Sequence, residues 1–258
     1  MKLDEAKEIL KENGYILEDK YMDDLDSELD DIIKPITKPI TVDNINQKNY
    51  IDYIGKLVNV TGNVILNKFG FTELPLTFGK VSGNFYCGNN KLTTLKGAPR
   101  EVGGSFYCDH CLLTSLEGAP NKVGEDFNCS HCKLTTLKGA PREVGGSFNC
   151  NYNKLTSLEG TPKKVGGDYE CYYNKLTTLE GSPKKVNGSF DCAYNQLTSL
   201  EEAPKEVGGF FHCYVNELTS LEGAPKNVGW SFNCSGNNVQ FTEKDVKKVS
   251  NVEGDIYV

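Results

Sequence analysis

The sequence predicts a repeat solenoid with a single curved parallel β-sheet of about ten short strands, irregular returns and a small N-terminal helical segment. The first observation is a phrase, V-x-G-x-F-x-C-x-x-N-x-L-T-x-L-x-G-x-P, which runs for example from Val144 to Pro162. The second is its period, because eight cysteines recur 21 residues apart: Cys87, Cys108, Cys129, Cys150, Cys171, Cys192, Cys213 and Cys234. A fixed period in this range is typical of repeats that stack on their neighbours.

Each turn is predicted to contain one short strand. Phe148 and Cys150 alternate with polar residues, so the F-x-C step reads as a strand with two inward side chains. Twenty-one residues leave no room for a return helix, and the G-x-P step disfavours one. The few apolar side chains of one turn, at about 1.5–3 kcal/mol each, do not offset a backbone entropy of about 1–2 kcal/mol per residue. Stability must therefore come from stacking.

The positions at which the 21-residue pattern begins, becomes regular and ends divide the chain into four predicted segments. These are an acidic helical segment with a proline-containing linker (1–45), an N-terminal capping turn (46–80), regular repeats (81–238) and a C-terminal cap (239–258). The first degenerate turn begins near residue 57. Thr242 and Asp245 form a capping-box pattern that predicts a helix through about Val249, followed by one last strand.

The N-terminal segment is predicted to contain two helices, from Leu3 to Asn13 and from Met22 to Ile32. The acidic run in the second helix lacks the glycine and terminal glutamate of a calcium loop. We therefore interpret it as a solvated helix face. Two roles stay open for these helices, capping the solenoid or docking on a partner.

The repeat segment N-x-L-T-x-L-x-G-x-P-x-x-V-x-G-x-F-x-C resembles a leucine-rich repeat over about residues 57–258. It is most similar to the short bacterial type and to 21-residue versions common in tailed-phage proteins. It departs from them by placing Phe and Cys where leucines are usual, and Gly-x-Pro where bacterial effectors have Leu-Pro. The resemblance implies protein recognition on a concave face, and a phage or bacterial protein that modulates a host protein.

Charge and hydropathy argue against two classes of protein, those that bind nucleic acids and those that span a membrane. The net charge of −7 divides into −6 for residues 1–78, 0 for residues 79–237 and −1 for residues 238–258. Neutral repeats give no support to nucleic-acid binding. No apolar run is long enough to span a bilayer, and the acidic start differs from a secretory signal, so we expect a cytoplasmic protein without membrane contact.

Two cysteine pairs have the spacing of a zinc ribbon, Cys108 with Cys111 and Cys129 with Cys132. The repeat offers a simpler explanation. Cys108 and Cys129 occupy the inward strand column, and the other two occupy a column that is otherwise asparagine. We therefore favour packing over zinc, and predict no cofactor. The repeat thiols are expected to be small buried groups rather than disulfides.

The outward strand columns are rich in tyrosine and contain all three histidines, with Asp126 and Asp168 beside them. Exposed strand positions favour aromatic residues in general, yet tyrosine is also enriched at interfaces. The densest part is predicted around Tyr172, Tyr173 and Tyr194. The candidate partner-binding residues are Tyr86, Tyr107, His110, His131, Tyr152, Tyr172, Tyr173, Tyr194, Phe210, His212 and Tyr214.

Two further columns are distinctive. The residues after each proline form a basic stripe, strongest at Lys163, Lys164, Lys184 and Lys185, which nearby glutamates are expected to neutralise into a solvated surface. A glycine column indicates either a positive φ or a close approach of backbones; it comprises Gly83, Gly104, Gly146, Gly167, Gly188 and Gly209. Trp230, the only tryptophan, interrupts that column.

No catalytic arrangement is evident, because the histidines lack a nucleophile with an orienting partner and the glycine pairs belong to the repeat. We therefore expect a non-enzymatic protein that binds another protein through its Tyr/His-rich face. One alternative is a structural spacer that docks through its acidic N-terminal helices. The other is a zinc-containing nucleic-acid-binding protein. The sequence leaves the oligomeric state open.

Overall fold

A computed structural model describes residues 39–258, together with Tyr15–Ile16 and Lys34–Pro35, which pair as an antiparallel ladder. Contacts divide the chain into two compact units, Met1–Ile40 and Thr41–Val258. The predicted N-terminal helices and their acidic run lie outside the described residues.

One strand from each turn contributes to a continuous sheet of ten strands, called here the phenylalanine sheet. All its strands are parallel and pair in register at a separation of 21 residues in the regular turns, so that Phe127 lies beside Phe148. This confirms the predicted parallel solenoid. The strands are Val64–Ile65, Phe85–Tyr86, Phe106–Tyr107, Phe127–Asn128, Phe148–Asn149, Tyr169–Glu170, Phe190–Asp191, Phe211–His212, Phe232–Asn233 and Ile256–Tyr257.

The return half of each turn contains a second short strand, which the sequence analysis did not predict. These strands form the valine ladder, which is divided into a seven-stranded and a four-stranded part. The first part comprises Ile40–Val42, Leu57–Val60, Thr77–Val81, Glu101–Val102, Lys122–Val123, Glu143–Val144 and Lys164–Val165. The second comprises Lys185–Val186, Glu206–Val207, Asn227–Val228 and Asn251–Val252. An extended return pairs in this way because the fixed period brings its main chain beside its own equivalent.

The inward phenylalanines, cysteines, leucines and valines form one continuous buried core. The phenylalanine rings stack along it, with centroids 5.4 Å apart between Phe106 and Phe127 and 5.6 Å apart between Phe127 and Phe148. Tyr169 takes the place of phenylalanine in one turn. Its buried hydroxyl lies 2.6 Å from the Thr161 hydroxyl, which satisfies the added polar atom.

The asparagine column joins successive turns. Asn153 donates from Nδ2 to the carbonyls of Cys129 (3.0 Å) and Cys150 (3.1 Å), and its Oδ1 accepts from the amide of Leu134 (3.0 Å). Cys132 takes this position in another turn, where its thiol donates to the Cys108 carbonyl over 3.4 Å. An amide side chain and a thiol are thus both accepted because each can donate to the same main-chain carbonyl.

The glycine column reflects close approach, not a positive φ. A Cβ at Gly104 would overlap the side-chain oxygen of Asn84 in the preceding turn. The positive φ lies instead at the glycine of the G-x-P step, as at Gly160 with φ +88°. Glu202 occupies that position once, with φ +65°.

Both ends of the coil are irregular. A seven-residue helix, Glu243–Val249, begins at the predicted capping box of Thr242 and Asp245 and confirms the predicted C-terminal cap helix. At the other end the coil begins before residue 57, because Ile45 forms a parallel bridge with Val64. A short 3₁₀ helix, Tyr50–Tyr53, follows this bridge.

We predict that Phe148→Ala lowers the free energy of unfolding by about 3–5 kcal/mol, because it opens a cavity between two stacked core rings. Urea unfolding followed by circular dichroism measures this loss. Tyr257→Ala, at a half-exposed position in the last strand, should change the stability by about 0.5 kcal/mol or less. Similar losses for the two variants would contradict the described core.

Candidate functional site

The residue two positions after each repeat cysteine has left-handed backbone geometry. The φ angles there are 55° at Asn89, 51° at His110, 52° at Tyr152, 50° at Tyr173 and 51° at Val215. Asparagine and glycine adopt this conformation readily, whereas other residues incur a penalty of about 1–2 kcal/mol. The column therefore carries aromatic residues at positions where the backbone favours asparagine or glycine.

Five of these side chains form a continuous stack, which we call the aromatic ladder. Its centroid separations are 4.4 Å from His110 to His131, 4.2 Å from His131 to Tyr152, 4.6 Å from Tyr152 to Tyr173 and 4.1 Å from Tyr173 to Tyr194. The rings are parallel to within 16°. Stacked rings cover one another's faces, so the ladder exposes mainly ring edges and tyrosine hydroxyls. Tyr152 and Tyr173 are each 40% exposed.

Other aromatic rings contact the ladder edge-on and extend it. Tyr172 packs 5.6 Å from Tyr152, and Tyr214 packs 5.3 Å from Tyr194. Tyr214 in turn contacts His212, whose ring stacks on Phe210 at 5.4 Å. The structure thus brings nine of the predicted binding residues into one connected group: His110, His131, Tyr152, Tyr172, Tyr173, Tyr194, Phe210, His212 and Tyr214.

Trp230, which was not among the predicted binding residues, belongs to the same group. Its ring packs edge-on to Phe210 at 4.9 Å, and it is 58% exposed. We call this tryptophan and the nine connected residues the aromatic face. Tyr86 and Tyr107 stack on each other at 5.2 Å. Within residues 39–258, no ring contact joins that pair to the aromatic face.

Phe210 interrupts a column of hydrogen-bond acceptors. In the preceding turns the residue before each core aromatic accepts from the next turn's amide, as Asp168 accepts from Ser189 (2.6 Å) and Ser189 accepts from Phe210 (3.2 Å). Asp126 accepts from Ser147 in the same way. The Phe210 side chain cannot accept a hydrogen bond, so the side-chain link to the amide of the next turn is absent there. Its ring lies at the surface instead. In the sequence, Phe210 and Trp230 can be recognised because each differs from the residue type that most other turns have at the equivalent position.

The aromatic face is acidic. The four outward columns that begin at Asn84, Tyr86, Gly88 and Asn89 contain no lysine or arginine through eight turns. Their carboxylates are Asp109, Asp126, Asp168, Glu170 and Asp191.

Glu170 lies at the centre of this acidic region. Burial raises the pKa of its carboxyl, and the neighbouring Asp168 and Asp191 raise it further. The Asn149 amide donates to Glu170, and His212 Nδ1 lies 3.3 Å from an Asp191 oxygen. A positively charged group placed here would relieve the repulsion among the three carboxylates.

Three of the four cysteines with zinc-ribbon spacing donate to main-chain carbonyls. Cys129 donates to Asn149 (3.3 Å), Cys132 to Cys108 (3.4 Å) and Cys111 to Cys87 (3.7 Å). Burial raises the pKa of Cys132 to about 12, so this thiol is neutral at pH 7. Across the described part of the chain, no three His, Cys, Asp or Glu residues are grouped to hold a metal ion. All four side chains are buried in the core, and packing in preference to zinc stays a prediction.

The structure defines the chain as a parallel β-solenoid of 21-residue turns. No protein-family model, no curated protein and no solved structure matches the chain. A search of the described residues finds no helix with the length and apolar character needed to cross a bilayer.

We predict that the thiols react only on unfolding, because all ten cysteines are buried. Burial also raises the pKa of the strand-column thiols, such as Cys108, well above the ordinary 9.0. Ellman's reagent should modify less than one thiol per chain in the native protein and ten in guanidinium chloride. Rapid modification of two or more native thiols would contradict the described packing.

We predict that His131 makes the protein less stable in mild acid. Burial, followed by the charge of His110, lowers the pKa of His131 below its ordinary 6.5, so the unfolded chain binds this proton more readily. The stabilising contribution is complete above pH 6.5 and is lost as the pH falls towards the lower folded-state pKa.

Urea unfolding of the wild type and His131→Asn at pH 7.5 and pH 5 measures this effect. Asparagine suits the left-handed backbone and occupies the same column at Asn89. The variant should lose less stability on acidification than the wild type. An equal loss in both proteins would show that His131 does not contribute.

Proposed function

We propose that this protein is a non-enzymatic recognition protein that binds another protein through the aromatic face. The observation that carries the proposal is the aromatic ladder, five rings in successive turns held on left-handed backbone. Left-handed geometry at a side-chain-bearing residue is a local strain of the kind that clusters at functional sites.

Ring stacking alone does not account for the ladder. Each ring placed at a left-handed residue costs about 1–2 kcal/mol, whereas an aromatic pair contributes about 0.5–1.5 kcal/mol beyond its buried area. These two magnitudes offset each other, so the rings stabilise the coil only through the apolar area that they bury. Asn89 and Gly236 occupy this column in the first and last regular turns, and Lys68 and Val215 also occupy it with a positive φ. The aromatic choice between them is therefore better explained by what the ladder presents to solvent.

The exposed groups suit a protein interface. Tyrosine offers a large contact area with little loss of rotamer entropy and retains a polar tip. Trp230 and Phe210 supply the kind of aromatic anchor that dominates binding energy in such interfaces. Their position beside the ladder gives one contiguous surface that combines anchors with hydroxyl donors.

The charge of the face indicates the kind of partner. Five carboxylates lie in the outward columns, where no lysine or arginine is present. Burial and the neighbouring aspartates raise the pKa of Glu170, and an added cation would reverse that effect. We therefore propose a partner that presents a basic segment, whose association weakens as salt screens the attraction.

Kinship with leucine-rich repeat proteins is part of this proposal. The L-T-x-L phrase and the hydrogen bonds of the asparagine column support it, whereas the valine ladder in the return is an additional feature of this chain. A role in modulating a host protein rests on the same resemblance; that role and the cytoplasmic location both stay predictions.

We predict that the triple variant Tyr172→Ser, Tyr173→Asn, Tyr194→Asn remains folded and binds its partner at least tenfold more weakly. These replacements occur naturally in the same columns at Ser130, Ser235 and Asn89, so the backbone geometry is retained. The partner is first captured from the source cells and purified. Its dissociation constant is then measured by calorimetry at several salt concentrations.

The matched control is Tyr86→Asn, Tyr107→Asn, Tyr257→Asn, which removes three tyrosines outside the aromatic face. Asparagine occupies the same column at Asn128, Asn149 and Asn233. The control should bind within twofold of the wild type. Unchanged binding by both triple variants would favour the alternative of a structural spacer that docks elsewhere.

A further inference from the structure

The valine ladder is interrupted between Lys164–Val165 and Lys185–Val186, whereas the phenylalanine sheet continues there from Tyr169 to Phe190. We call this interruption the seam. Elsewhere in the ladder an amide bonds to the valine carbonyl of the preceding turn, as Gly166 does to Val144 and Gly208 does to Val186, both over 3.0 Å.

Two main-chain hydrogen bonds are missing at the seam. Within residues 39–258, the amide of Asn187 makes no bond to the carbonyl of Val165, and the amide of Lys184 makes none to that of Lys163. The equivalent bond one turn later, from Lys205 to Lys184, is 2.8 Å long. The seam therefore leaves two main-chain donors that the other regular turns use.

Asn187 is a local cause of the seam. The equivalent residue is glycine in the other interior turns. A Cβ at Gly166 or Gly208 would overlap the main-chain carbonyl oxygen of the equivalent residue in the preceding turn. Ser82 and Glu253 occupy the column in the end turns, where they keep the bond. An interior turn is packed on both sides, so the added side chain displaces the return.

Charge is a second local cause. The outward residues of the ladder alternate in sign from turn to turn, and adjacent pairs form salt bridges, including Glu143 with Lys164 (2.9 Å) and Lys185 with Glu206 (2.7 Å). The alternation fails once, where Lys164 precedes Lys185 in the next turn. The order is Lys80, Glu101, Lys122, Glu143, Lys164, Lys185 and Glu206.

A groove of about 680 Å³ lies along this part of the ladder. Five lysines and one glutamate supply its charged lining, and Asn187 lies at its edge. Lys164 is paired with Glu143, whereas the exposed ammonium groups of Lys163 and Lys184 form no ion pair within residues 39–258. The lysines are Lys122, Lys163, Lys164, Lys184 and Lys185.

We propose that the seam is a binding site for a small multivalent oxyanion of the phosphate type. The anion would be held by the ammonium groups of Lys163 and Lys184 and by the main-chain amide of Lys184, which immediately precedes the strand Lys185–Val186. Both residues after the proline are lysines in these two turns, whereas a glutamate, Glu143 or Glu206, takes the second place in the turn on either side. This limited length fits one phosphate group and not a long polyanion.

We predict that the dissociation constant of inorganic phosphate is at least tenfold higher for the double variant Lys163→Gln/Lys184→Gln than for the wild type. The matched control, Lys205→Gln/Lys226→Gln, removes the same charge from the same column in the next two turns. The control should bind phosphate within twofold of the wild type. Calorimetry at constant ionic strength, set with sodium chloride, measures all three proteins.

Asn187→Gly tests the geometry without changing the charge. Glycine lets the ladder close, so hydrogen exchange at the amides of residues 184 and 187 should slow at least tenfold and phosphate binding should weaken. Pyrophosphate and a 20-nucleotide single strand are titrated in parallel. Equal weakening by both lysine pairs, unaltered binding by Asn187→Gly, or tighter binding of the oligonucleotide than of either small anion would overturn the proposal.

Discussion

The structure depends on the in-register stacking of one turn on the next. The ladder hydrogen bonds fix each residue beside the residue 21 positions away, so side chains meet their own equivalents and not varied neighbours. Phenylalanine therefore stacks on phenylalanine in the core, tyrosine stacks on tyrosine at the surface, and lysine lies beside glutamate in the valine ladder. A single residue of slip would move every inward side chain to the outside.

Because identical positions stack, a substitution acts on two junctions at once. Tyr169 is accepted in the phenylalanine column since Thr161 satisfies its hydroxyl. Phe210 interrupts the acceptor column, which resumes at Ser231, and its ring packs with Trp230 and His212 instead. Asn187 separates two strands that glycine would hold together. A residue that differs from its equivalents in other turns is thus either compensated by a neighbouring side chain or forms a surface feature. The contacts of the residue distinguish the two cases.

Periodicity was sufficient to predict the ten-stranded sheet, the buried cysteines and the C-terminal capping box, because each depends on a residue type at a fixed interval. The valine ladder was not predicted, since a single inward valine between polar residues gives no alternation to detect. The aromatic ladder was predicted only as a tyrosine-rich face. Its stacking depends on a positive φ at residues such as Tyr173, a conformation that tyrosine does not indicate in a sequence.

The seam and the aromatic ladder meet at the same junction between turns. Val165 and Tyr173 belong to one turn, and Val186 and Tyr194 belong to the next. The valine strands are unpaired there, yet the Tyr173–Tyr194 centroid separation of 4.1 Å is the shortest in the ladder. The phenylalanine sheet, the stacked rings and the bond from Gly188 to Gly167 (3.2 Å) therefore hold the two turns together although the valine strands are unpaired. A solenoid tolerates such an interruption because several rows of contacts and hydrogen bonds join each pair of adjacent turns. When one row is lost, the others maintain the register.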